Sequence, residues 1–232
     1  MQPSTEGAAP QPLFVQYMTF KADPAWRRLP LGARDDGRES FAQAIEEYAP
    51  AITTWAYSTL GMKTGCELLL WRRGADPIAM QEMTSRLLQT GMGTYFEIAH
   101  NLYGFTRPSS YTKRPTTQEQ AIDLDTRQTF LTVYPFSKTI EWYLMSKEAR
   151  QGMMNEHIRI GHEYADIRQV LLYSTGLDDQ EFVVAYEMED LPRFSALVTA
   201  LRDTEARRYT LRDTPIITGV HRPLREALAL IG

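Results

Sequence analysis

Cysteine is almost absent from this 232-residue chain, where Cys66 stands alone. That excludes an internal disulfide, a CxxC redox pair and any thiolate-held metal cluster, and a single thiol fits a reducing cytoplasm. Long apolar runs are missing as well: nothing approaches the roughly 18 uninterrupted apolar residues of a membrane span. Positive charge is not in excess, since 25 Lys and Arg stand against 29 Asp and Glu for a net charge of −4. The arginines of the C-terminal third alternate with acids instead of forming a basic stripe, which argues against nucleic acid as a partner. Histidine is scarce, and the four present, at positions 100, 157, 162 and 221, have no spacing that suits a multi-histidine metal site. Residues 1–12 lack the basic start and apolar run of a secretory signal and read as a flexible N-terminal arm.

What is present is a globular composition, 43% hydrophobic and 23% charged, with enough apolar residues for a sizeable core. Residues 13–20 alternate and are rich in aromatic and branched side chains, as a strand is, and 38–48 follow with helical spacing. Two further strands, 52–60 and 66–71, flank a glycine-bounded turn. Residues 76–103 carry Ile78, Met80, Met83, Leu87, Leu88 and Met92 at helical intervals, opened by Asp76 as N-cap and Pro77 at the first helical position. After a Pro-, Ser- and Thr-rich stretch the order returns: strand 129–134, helix 146–164, strands 167–173 and 181–186, helix 191–204, strand 215–220. The doubled order implies an α+β fold of two ferredoxin-like units with antiparallel sheets. The expected boundaries are an arm to 12, a first unit over 13–110, a connector over 111–127 and a second unit over 128–232.

Candidate chemistry gathers in the second unit. His157 shares its helical face with Met153, Met154, Gly161 and Tyr164. A neutral imidazole on a dry, methionine-lined face can ligate iron from one side of a porphyrin; the same pattern also describes a core histidine satisfied by a hydrogen bond. His162, about 140° further round the helix, points elsewhere. Tyr134 and Lys138 flank Pro135, offering an oxidisable phenol beside a cation. Arg168 and Gln169 are neighbours on a strand, so only one of them faces a given pocket. Arg202, near the end of a helix, can pair with a carboxylate or stay solvated.

Four stretches together, Tyr-Pro-Phe-Ser-Lys at 134–138, Met-Met-Asn-Glu-His at 153–157, Ser-Thr-Gly-Leu-Asp-Asp at 174–179 and Leu-Arg-Asp-Thr-Glu-Ala-Arg-Arg-Tyr at 201–209, resemble the chlorite dismutase and coproheme decarboxylase superfamily. The resemblance implies two ferredoxin-like domains, a homo-oligomer that is commonly a pentamer, and haem b or iron coproporphyrin III held in the C-terminal half. It implies His157 as the proximal iron ligand, supported by Met153. Tyr134 matches the tyrosine that becomes a radical when hydrogen peroxide drives decarboxylation of coproheme to haem b, Lys138 the lysine near the second propionate, and Arg202 a propionate anchor. Counting back from Gly176 puts Gln169 at the distal position, where chlorite dismutases carry arginine; counting from His157 leaves Arg168 as the alternative. Arg114 and Arg127 are both candidates for a second propionate-binding arginine. The expected activity is a cytoplasmic coproheme decarboxylase, with a chlorite dismutase or a non-catalytic haem carrier or sensor as the alternatives.

Overall fold

The computed structural model describes residues 11–112, 118, 122 and 124–232. Most of the expected N-terminal arm, part of the connector, and Arg114 lie outside the described residues. The first half runs β1 (Phe14–Ala22), α1 (Leu31–Glu47), β2 (Ile52–Ser58), β3 (Leu68–Gly74), α2 (Pro77–Leu88) and β4 (Phe96–Phe105). The second runs β5 (Phe130–Lys138), α3 (Ile140–Leu144), α4 (Lys147–His162), β6 (Arg168–Tyr173), β7 (Phe182–Met188), α5 (Leu191–Arg202), β8 (Thr210–Arg212), β9 (Ile217–Arg222) and α6 (Leu224–Ala229).

One expectation fails here. The helix read over 76–103 stops at Leu88, and β4 occupies its second part. The Thr90 hydroxyl donates to the Leu87 carbonyl and accepts from the Gly93 N–H, so the chain leaves the helix. A Cβ on Gly93 would sit 1.8 Å from the Leu87 oxygen, so only glycine fits this close reversal. The residues beyond, from Phe96, then pair with β1.

With β4 restored, each half is a βαββαβ unit, and the two sheets are one. The strand order β7-β6-β4-β1-β3-β2-β9-β5 closes through a β5–β7 pairing into a ring of antiparallel strands, with β8 added on β5. Period-two alternation then sorts side chains. Val15, Tyr17, Leu69, Trp71, Val133, Leu172, Val183 and Ala185 fill the interior of the ring. Met18, Phe20, Leu68 and Leu70 face outward under α1, α2 and α6, and Val184, Tyr186 and Met188 face outward towards α5. Each fully buried aliphatic or aromatic side chain contributes roughly 1.5–3 kcal/mol. No helix among the described residues is long and apolar enough to cross a membrane.

Candidate functional site

Helix α4 begins at Ser146, whose hydroxyl accepts from the Ala149 N–H. Its apolar stripe predicts contact with the sheet, yet none of its residues is fully buried, while α5 beside it buries Leu197. Opposite stands the outward face of β5, β6 and β7. There Leu171 is 38% exposed although its neighbours Val170 and Leu172 are buried in the ring interior. The apolar side of α4 and that of β6 are therefore each only partly covered. Gln118, itself buried, ties the two elements together: its side-chain amide donates to the carbonyls of Gly161 and Tyr164 on the α4 side, and its backbone carbonyl accepts from the Gln169 N–H on β6.

His157 stands on α4 within reach of the Lys138 charge, with Met153 one turn before it. Its Nδ1 is buried and has no hydrogen-bond partner among the described residues, unlike that of a satisfied core histidine. Burial, and then the nearby Lys138 charge, pull its pKa down to about 4. The ring is neutral at pH 7 and its lone pair is available.

Strand β5 explains the phenol and the cation. Proline has no N–H for a ladder, and Pro135 falls where β5 changes neighbour, between Val133, its last pair with β9, and Ser137, its first with β8. The even-numbered residues Tyr134, Phe136 and Lys138 share the outward face. The Tyr134 and Tyr186 rings stack at 6.1 Å, which brings the two phenols side by side. Burial raises the Tyr134 pKa, the Tyr186 contact and the Asp213 charge add to that rise, and the nearby Arg202 charge opposes it. Arg202 makes no ion pair among the described residues. Lys138 Nζ lies 4.6 Å from the Trp142 ring and donates to the Ala206 carbonyl and the Thr210 hydroxyl. Burial, and then the Arg207 charge, bring its pKa down to about 8.

Register puts Arg168 and Gln169 on opposite faces of β6. Gln169 lies opposite Tyr186 on β7, and so shares the outward face with Tyr186 and Tyr134. Its side chain makes no hydrogen bond to the described residues. Arg168 lies opposite Glu187 and donates to the Thr126 carbonyl, on the side of the ring interior. Arg127 is also on that side: it pairs with Glu187 at 3.2 Å, sits 4.4 Å from the ring centres of both Trp55 and Trp71, and its side chain is 1% exposed. It does not stand at the site. His162 is exposed, and His100 and His221 lie on β4 and β9. Sequence reasoning missed Tyr186 and Gln118. Strand alternation could have found the first; nothing local marks the second.

The chlorite dismutase family profile matches residues 34–222. The chain belongs to the chlorite dismutase family. Among curated relatives this family member is 29% identical over 175 residues to a coproheme decarboxylase of Mycolicibacterium smegmatis, covering 75% of each chain. It is 23% identical over 220 residues to a chlorite dismutase of Ideonella dechloratans, covering 91% of this chain and 77% of the relative. Among solved structures, the chlorite dismutase of Candidatus Nitrospira defluvii in complex with imidazole superposes with a TM-score of 0.87 at 25% identity, covering 94% of both chains. Members of the family bind iron porphyrin. The residues here fit such a group: a buried imidazole nitrogen with no partner among the described residues, a methionine-lined helix face that is only partly covered, and two cations, Lys138 and Arg202, that pair with no carboxylate among the described residues.

Proposed function

We propose that this family member is a coproheme decarboxylase that converts iron coproporphyrin III to haem b with hydrogen peroxide, in two oxidative steps. The observation that carries the reading is the outward face itself, where a neutral Gln169 and an oxidisable Tyr134 share one wall while Arg168 is turned away. His157 would hold the iron from the α4 side, with Met153 packing beside it, and Arg202 would anchor a propionate near Tyr134. Bound iron and peroxide supply the oxidising equivalents. Tyr134 is kept protonated by burial, so it is oxidised only as its proton leaves. The resulting tyrosyl radical would take a hydrogen atom from the carbon of a propionate next to the macrocycle and so re-form the phenol; cleavage of the carboxylate as carbon dioxide, with one further electron passed to the peroxide-derived oxidant, would leave a vinyl group. Lys138 orients the second propionate; with a pKa of about 8 it carries its charge at neutral pH and can release a proton at little cost.

A chlorite dismutase would need a fixed positive charge to hold an anionic intermediate, which a neutral amide does not provide. A carrier or sensor has no use for a phenol beside a cation. The single reduced cysteine supports a cytoplasmic setting, and the family resemblance supports a homopentamer, which sedimentation equilibrium would weigh. The deciding experiment is Tyr134→Phe. The variant should bind coproheme and consume peroxide but release no carbon dioxide, as followed by mass spectrometry of the tetrapyrrole. Haem b formation at the wild-type rate would refute the reading.

A further inference from the structure

Resting on the decarboxylase reading, a second question is how the site would prefer a porphyrin with four carboxylates over haem b, which keeps two. Arg150 lies seven residues before His157 on α4, within about 20° of the same face and about 10 Å along the axis. A flat ring held through His157 would lie along that face. A side chain two turns away meets a substituent on the rim, not the metal. Arg150 Nε is buried without a hydrogen-bond partner, and no carboxylate among the described residues pairs with this guanidinium. Its surroundings lead to Lys138: its charge and that of Glu181 both act on Tyr143, and Glu181 accepts the Lys138 backbone N–H at 2.7 Å. Tyr111 joins this corner, its ring 6.3 Å from Trp142 and its carbonyl accepting from Gln151. Arg202 belongs to a different corner, beside Tyr134.

A buried guanidinium donor with no acceptor is costly, and the cost disappears if an acceptor arrives with the ligand. The planar fork of arginine suits a carboxylate in particular. We infer that Arg150 is a carboxylate-binding residue which, together with Lys138, receives a propionate that haem b lacks, and so makes the site selective for the four-carboxylate porphyrin.

The test is equilibrium titration, read by quenching of tryptophan fluorescence, of wild type, Arg150→Ala, Arg150→Gln and Arg150→Lys with iron coproporphyrin III and with iron protoporphyrin IX. Arg150→Ala and Arg150→Gln should weaken coproporphyrin binding about tenfold, the scale of one charge-assisted hydrogen bond. Protoporphyrin binding should stay within about twofold, and Arg150→Lys should recover part of the loss. Should the alanine variant fail to fold, glutamine and lysine carry the comparison. Equal weakening of both porphyrins would make Arg150 structural, and no weakening of either would place it outside the site; each overturns the inference while leaving the decarboxylase reading intact. A wild-type protein that binds neither porphyrin would overturn both.

Discussion

At the scale of single residues, the protonation of His157 links site to stability. Its folded pKa, about 4, lies below the ordinary histidine value of 6.5, so the unfolded chain takes up the proton first. The stability that depends on a neutral His157 is present above about pH 6.5 and is lost as pH falls towards 4. Thermal melts of the ligand-free protein should therefore drop between pH 7 and 4.5, and His157→Gln should drop less. The same variant loaded with coproheme should lack the iron–histidine band in its ferrous resonance Raman spectrum, whereas His162→Ala should keep it. Gln169 and Arg168 give a paired prediction. Gln169→Ala should slow the peroxide reaction and Arg168→Ala should leave it near wild type, while the protein loaded with haem b should release little dioxygen from chlorite at an oxygen electrode. Sustained release that vanishes in Arg168→Ala would reverse both the orientation and the choice of reaction.

At the scale of elements, the sequence exposed those whose patterns are local. The caps at Asp76 and Ser146, the period of α4 and the alternation of β5 can be read from neighbours alone, and with them Tyr134, Lys138, Met153 and His157. Strand β4 was hidden because Met80, Met83 and Leu87 set a helical period that the apolar residues beyond it seem to continue, and only the Thr90–Gly93 reversal breaks it. Tyr186 could be tied to Tyr134 only once the β5–β7 register was known. Gln118 is invisible for a related reason: its partners lie 43 and 46 residues away. It clasps α4 to β6, so Gln118→Ala leaves the Gly161 and Tyr164 carbonyls short of a donor. The expected cost is about 1–3 kcal/mol by chemical denaturation, with faster loss of bound coproheme and little change in the rate of the peroxide step.

At the scale of the whole molecule, the closed ring makes the halves dependent on each other. Glu187 of β7 accepts from Tyr57 of β2 and pairs with Arg127 just before β5, so one buried carboxylate binds groups from both halves. Removing a single partner of such a pair leaves an uncompensated buried charge, and Glu187→Ala should cost roughly 3–5 kcal/mol in urea unfolding. Replacing Arg127 and Glu187 together by apolar residues of similar size should recover much of that loss; a double variant as unstable as the single one would show that the pair itself, not the stranded charge, sets the cost.

The ring's seams are unequal: β1 and β3 match over seven residue pairs, whereas β4 and β6 meet at Phe105 and Tyr173 alone. Around that single pair the Ser174 hydroxyl bonds the Tyr103 carbonyl, and a Cβ on Gly104 would come within 2.9 Å of the Tyr173 oxygen. The circle thus has a clasp, and a clasp is where a circle opens. Amide hydrogens near residues 103–105 and 173–174 should exchange with deuterium well before those along β1 and β3, and a methyl group at position 104 should hasten that opening by wedging the clasp apart.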